Sequence, residues 1–408
     1  MSEIRIKSQG AIKLFESDNT SHVTIASPAS LSANRTITIP DADVNLTNVN
    51  SIPTLRPNAK PLIINGDMQV AQRATSATGL TSSGYNTVDR FKTNISGLGT
   101  WTETQESLTS GNSYTDGFSN ALKIDCTTAD VSPSASDRLY WTYRFEGQDV
   151  QLLKKGTTNA EKVTVSFWIK ATKTGTNILE LYDNDNSRDI SASYTISSSN
   201  TWEHKVVSFP ADTSGVLGDD NGSSFFIIWA LGAGSNYTSG TLNTSWANNT
   251  NANRYVGQVN HGDSTSNNVH ITGVQMEVGE YTSATLPPFQ HESFGNNLAR
   301  CQRYFQEIMS GESQNALCNL VSYTSGTLRG TYILPTQMRA NPTQTDGAAL
   351  ADFLILGENT SFAPTALAAE SLTKKSFVVT ASCSSSTQGS VYWCRGDAEA
   401  TYTLDSEL

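Results

Sequence analysis

Charge is scarce in this sequence. Asp, Glu, Lys and Arg make up 16% of 408 residues, against about 25% in an average soluble domain. No dense cluster of Lys and Arg occurs, and the net charge is −11. Phosphate binding needs clustered cations, so nucleic acid is excluded as a partner. No run of about 18 apolar residues is present to cross a bilayer as a helix, so membrane insertion is not expected. The opening MSEIRIK is charged and lacks an apolar stretch, and no secretory signal is expected from it. Cysteine is sparse: Cys126, Cys301, Cys318, Cys383 and Cys394 are odd in number and scattered, which fits reduced thiols better than a disulfide framework. The five histidines (His22, His204, His261, His270 and His291) show no His-x-x-x-His spacing. No Gly-x-Ser-x-Gly elbow occurs. No catalytic residue, metal or cofactor is therefore expected.

Ser, Thr, Asn and Gly carry the polarity instead, beside a hydrophobic share of 37% and an aromatic share of 9%. That is enough to build cores, and it argues against disorder along the whole chain. Length suggests two or three domains. Residues 1–50 hold short period-2 runs (Ile4/Ile6, Ile12/Leu14, Val23/Ile25, Ile37/Ile39), punctuated by Gly10, Pro28 and Pro40. These predict a small β-segment that cannot bury itself alone. SIPTLRPNAKP at 51–61 has three prolines and no periodicity, which predicts a linker.

Residues 62–291 carry strand patterns at Leu122–Asp125, Leu139–Phe145, Val163–Ile169, Ile178–Tyr182, His204–Phe209, Phe225–Leu231 and Val269–Val278. Many strands with almost no helical period predict one large jelly-roll β-sandwich. In 292–313 the period changes. Leu298, Cys301, Phe305 and Ile308 are spaced 3, 4 and 3, with Ser293 to cap a start and Gly311 to end it. The spacing predicts one helix, whose stripe either packs on its own domain or serves oligomerisation. Residues 314–408 return to β patterns at Leu317–Tyr323, Leu328–Leu334, Phe353–Leu356, Phe377–Ala381, Val391–Trp393 and Thr401–Leu404. They predict a smaller C-terminal β-sandwich. The fold class expected is all-β.

Three stretches resemble bacteriophage tail-fibre and appendage proteins. The first is GAIKLFESDNTSHVTIASPASLSANRTITIPDAD at 10–43. The second runs through INGDMQVAQRAT (64–75), VDRF (88–91), VTVSFWIKATKTGT (163–176), TWEHKVVSFP (201–210) and VHITGVQMEVGEYTSATLPPFQHESFGNNLARCQRYFQ (269–306). Its order is similar to a carbohydrate-binding-module-like jelly roll. Pro288-Phe289-Gln290 stands where that family has Pro-Phe-Glu. The third is LPTQMRANPTQT at 334–345 with the ending GDAEATYTLDSEL. The resemblance implies a structural, non-enzymatic virion component assembled in the host cytoplasm. It also implies a homotrimer attached to the tail or another virion protein through the N-terminal segment, meeting a host-surface glycan. A tailspike enzyme and an architectural adaptor or head fibre are the alternatives.

Strand phase singles out Trp168. In Val163–Ile169 the core set is Val163, Val165, Phe167 and Ile169, which leaves Trp168 on the polar face with Thr164, Ser166 and Lys170. An aromatic ring there can stack on a sugar. Trp141 is in phase with a core face. Trp101, Trp246 and Tyr237 lie in loop-like polar surroundings and are the further glycan candidates. The alternating oxygens of Asp183–Asp189 suggest Ca²⁺, but Arg188 and Tyr194 replace the Gly and Glu of an EF-hand. That run is read as a surface turn.

Overall fold

The computed structural model describes residues 11–15, 20, 22–26, 60–310, 315–346, 352–358, 360–396 and 400–408. Contact density separates Met1–Ile52 from Pro53–Leu408. In the first unit β1 (Ala11–Phe15) and β2 (His22–Ala26) form an antiparallel ladder, with Ile12 opposite Ile25 and Leu14 opposite Val23. The runs expected at Ile4/Ile6 and Ile37/Ile39, and the linker from 51 to 59, lie outside the described residues.

The second unit begins with a two-sheet sandwich, all antiparallel. Its strands are β3 (Ser76–Leu80), β4 (Phe91–Ser96), β5 (Thr100–Ser107), β6 (Asn120–Thr128), β7 (Arg138–Glu146), β8 (Val163–Ala171), β9 (Gly175–Asp183), β10 (Arg188–Ile196), β11 (Glu203–Phe209), β12 (Ser223–Ala233), β13 (Ala247–Asn248) and β14 (Asn268–Val278). One sheet has the order β13-β10-β9-β12-β7-β4 and the other β11-β8-β14-β6-β5-β3. Single-turn helices α1 (Asn112–Thr115) and α2 (Ser235–Thr238) sit in the loops. Period-2 alternation turns one side of each strand inward, so Trp101, Trp141, Phe167, Trp229 and Ile271 fill the space between the sheets. Each such side chain contributes about 1.5–3 kcal/mol. The phase expected for β8 holds: Val165, Phe167 and Ile169 are fully buried and Trp168 is not.

The helix predicted over 292–313 is shorter. α3 spans Phe294–Cys301, with the Ser293 hydroxyl accepting from the Asn296 amide at its start. The chain then becomes β15 (Phe305–Ser310). Helical spacing of four apolar residues loses here to a ladder with a distant strand, a choice that local periodicity does not register. The stripe is thereby divided. Cys301 is fully buried with Ile64, Val70 and Tyr304, and Leu298 packs beside them. Phe305 is buried under the Arg73 guanidinium, 3.7 Å from its ring centre. Ile308 packs on the following core. Cys301 and Phe305 are thus buried within the chain, Leu298 and Ile308 are half-buried, and the four do not lie on one helical face.

Next come β16 (Asn315–Thr324), β17 (Thr327–Ile333), β18 (Thr343–Asp346), β19 (Phe353–Leu356), β20 (Ser361–Phe362), β21 (Ala366–Glu370), β22 (Ser376–Ser382), β23 (Val391–Gly396) and β24 (Thr401–Asp405). They make a three-stranded sheet, β15-β24-β18, and a seven-stranded sheet, β20-β19-β23-β16-β17-β22-β21. Leu320, Leu328, Ile355, Phe377, Tyr402 and Leu404 lie in the core between them. The end of β24 and the residues after it are clamped to the jelly roll. Glu407 pairs with buried Arg90, Asp405 with Arg73 at 2.9 Å, and Arg339 donates to the carbonyls of Ser406 and Asn221.

Candidate functional site

Trp168 stands on the outer face of the second sheet. Its register partners are His204 on β11 and Thr272 on β14. Opposed side chains on one sheet face meet, and the indole stacks on the His204 imidazole with ring centres 5.1 Å apart and planes 28° apart. Two connections rise over this face to make a groove of about 450 Å³. The loop after α1 supplies Asp116 and Phe118, and the segment after β14 supplies Leu286, Pro287, Phe289 and His291. Phe118, Phe289 and His291 form a mutually packed cluster, with ring centres 4.8–5.2 Å apart. Gly273, at φ +59°, allows this: a Cβ there would meet the Phe118 ring at 2.7 Å. The Gln275 amide donates to the Pro287 carbonyl at 3.0 Å, which ties the covering segment to the sheet.

The groove is polar where it is open. Ser166, 1% exposed, lies at its base with a buried hydroxyl that has no hydrogen-bond partner among the described residues. Partial desolvation holds the His204 imidazole below its usual range, with Asp116 opposing, which favours the neutral ring although the residue is exposed. A neutral imidazole offers one donor and one acceptor. The site therefore combines a half-buried aromatic face with an imidazole, a hydroxyl and a carboxylate at its margin.

The other candidates do not join it. Trp101 is 0% exposed in β5, and its Nε1 donates to the Leu98 carbonyl at 2.7 Å. It is core. Its neighbours Thr100, Thr102 and Thr104 made it look loop-bound, but they alternate with it across the sheet. Glu103 beside it is also buried, taking hydrogen bonds from Thr87 and Thr93. Tyr237 is 8% exposed in α2, where its hydroxyl accepts from Arg138 at 2.7 Å and its ring packs near Tyr255. It covers the outer face of the opposite sheet with Ile178, Phe226 and Ile228. Trp246 is half-buried before β13, also on that sheet. Its Nε1 donates to the Pro210 carbonyl and its ring lies 5.0 Å from the Lys155 ammonium.

The turn at Asp183–Asp189 holds a cation of the protein's own. Lys155 Nζ contacts Asp183, Asp212 at 2.9 Å and the carbonyls of Ser214 and Gly215 at 2.9 and 3.0 Å. The reading of a surface turn missed this buried charge, because Lys155 lies 28 residues before Asp183. Sequence reasoning also missed Phe118, Phe289 and His291. Nothing in their local patterns separates a groove wall from a loop, and the one signal was the Pro287-Pro288-Phe289 run. His204 is the stacking partner of Trp168. His270, also in a strand, bonds to Glu106 at 2.9 Å.

No family model matches the sequence. No curated protein matches it either. Among solved structures the chain is similar to a putative sugar binding protein from Bacteroides thetaiotaomicron, at 13% identity and TM-score 0.29, over 54% of this chain and 100% of that one. It is similar to the family 11 carbohydrate-binding module from Clostridium thermocellum in complex with a beta-1,3-1,4-mixed-linked tetrasaccharide, at 10% identity and TM-score 0.25, over 52% and 99%. It is also similar to the enzymatically active domain of bacteriophage CBA120 tailspike protein 4, at 12% identity and TM-score 0.25, over 53% of this chain and 21% of that one. At scores and identities this low, the likeness assigns neither family nor ligand.

Proposed function

We propose that the chain is a glycan-binding structural component of a phage particle, a homotrimeric tail fibre or similar appendage, and that sugar is held in the Trp168 groove. The observation that carries this reading is the geometry around Trp168. A half-buried indole lines an open groove beside a neutral imidazole and the unpartnered Ser166 hydroxyl. Aromatic faces take the apolar C–H side of a sugar ring, and neutral donors and acceptors take its hydroxyls. The net charge of −11 disfavours general adhesion to an anionic cell surface, so recognition falls to short-range contacts of this kind. Weak single sites gain avidity from several copies on one particle. The virion setting rests on the resemblance of 10–43, 64–306 and 334–345 to phage appendage proteins. In this reading the N-terminal segment attaches to the particle and the groove binds without turnover.

The test is binding of the intact chain to a panel of bacterial surface glycans, with Trp168→Ala as control. Saturable binding to a neutral or mixed glycan, lost in the variant and without release of reducing ends, supports the reading. Release of reducing ends would favour the tailspike enzyme. Absence of binding to host cells and glycans would favour an architectural role.

A further inference from the structure

Ten large hydrophobic side chains stand exposed among the described residues, and five of them share one face. Val321 and Tyr323 on β16, Ile333 on β17, and Val391 and Trp393 on β23 are 42–77% exposed. They are the outward positions of strands whose alternate residues, Leu320, Leu328, Tyr392 and Cys394, are buried. The register sets Val321 opposite Val391 and Trp393 opposite Leu356 of β19, while Ile333 stands further along β17, beyond Arg329 and opposite Ser376 of β22. With Leu354 and Leu356 the face carries seven aliphatic and aromatic side chains, and the largest apolar patch on a typical monomer is about 300–600 Å². A standard interface takes about 800 Å² from each partner.

We infer that this outer face of the seven-stranded sheet is where copies of the chain meet. The inference rests on the reading that the chain self-associates, and not on glycan binding. Charge points to a second copy as the occupant. The whole chain carries −11, yet the outward positions of β16, β17, β21, β22 and β23 hold Arg329, Arg395 and Glu370 alone as charged groups, with Arg329 and Glu370 3.6 Å apart. Here two acidic chains approach without the repulsion that the rest of the surface imposes. The aliphatic Val321, Ile333 and Val391 give hydroxyl groups nothing to bond, so the patch suits another apolar protein surface better than a sugar. Of the stripe that the sequence offered for this purpose, Cys301 and Phe305 are buried and Leu298 and Ile308 half-buried, whereas the five residues of this face are exposed.

The experiment compares the full chain with Ile333→Glu/Val391→Glu by light scattering across micromolar concentrations, with hydroxyl-radical labelling of Trp393. Both substituted side chains are exposed, and circular dichroism checks that the variant is folded. The wild type is expected at a multiple of 44.0 kDa with Trp393 protected. The variant is expected to dissociate at concentrations about 100-fold higher or more, with Trp393 labelled. A monomeric wild type overturns self-association itself. An oligomer with Trp393 labelled, or one that the double variant leaves intact, overturns the assignment of this face and leaves self-association standing.

Discussion

Trp168→Ala and Trp101→Ala, two changes of the same side chain, should separate binding from folding. Trp101 is 0% exposed between the sheets and donates to the Leu98 carbonyl. Removing it leaves a cavity and an unpaired carbonyl, at about 3–5 kcal/mol. A loss that size threatens folding in a domain of ordinary stability. Trp168 is half-buried on the outer face, stacked at 5.1 Å on His204 and packed beside the cluster of Leu108, Phe118 and Trp202. A ring pair of this kind contributes about 0.5–1.5 kcal/mol beyond the apolar area it buries, so Trp168→Ala should cost about 2 kcal/mol, less than Trp101→Ala, and leave the fold intact. Binding should respond in the reverse order. If the indole is the central aromatic anchor of the groove, its loss weakens glycan affinity by about 2 kcal/mol or more, roughly 30-fold. Urea unfolding followed by fluorescence gives the stabilities. Titration calorimetry or affinity electrophoresis with the glycan found in the panel gives the affinities. Trp168→Phe, which keeps a ring, should fall between wild type and alanine. Unchanged affinity in a folded Trp168→Ala removes the groove from the binding site. A Trp168→Ala variant as unstable as Trp101→Ala would show that the ring is structural and refute the reasoning.

Three further predictions concern buried charge. Burial depresses the fully enclosed His261 imidazole to about 4; its Nε2 bonds the Asn177 side-chain oxygen Oδ1, and its Nδ1 has no hydrogen-bond partner among the described residues. Between the ordinary 6.5 and about 4 the unfolded chain takes up a proton that the folded chain refuses. This contribution is therefore intact above pH 6.5 and is lost as pH falls to about 4, by up to about 3 kcal/mol; urea unfolding at pH 7.5 and 4.5 should show a smaller acid loss in His261→Gln than in wild type. Lys155→Met leaves the 0%-exposed Asp183 without its cation and should cost about 3–5 kcal/mol, measured as a fall in the urea midpoint; a neutral result would mean that the carboxylate finds another partner. Glu407→Ala leaves the Arg90 guanidinium buried between the Tyr143 and Tyr304 rings without its carboxylate, and hydrogen exchange should show the ladder of β15 and β24 opening more readily than in wild type.

The strands of both β-regions could be read from the sequence because alternation is local. Val163–Ile169 announces its inner face by itself, and the same period placed Trp168 outside, where the structure has it. The failures came where distant residues decide. Leu298, Cys301, Phe305 and Ile308 fit a helix until β24, about a hundred residues later, offers Phe305 and its neighbours a ladder. Trp101 looks exposed from its polar neighbours, and only the opposite sheet makes its side of β5 an interior. The Trp168 groove has the same character. Its floor is one strand with the partners that register assigns to it. Its walls, Asp116, Phe118, Phe289 and His291, come from connections before and after the floor strand. Gly273 lets Phe118 close over the sheet, a steric permission that no pattern along the chain expresses. Local alternation thus determined which residues form strands and which way they point; the pairing of remote strands and the folding of loops over one face decided which aromatic ring is left for a ligand.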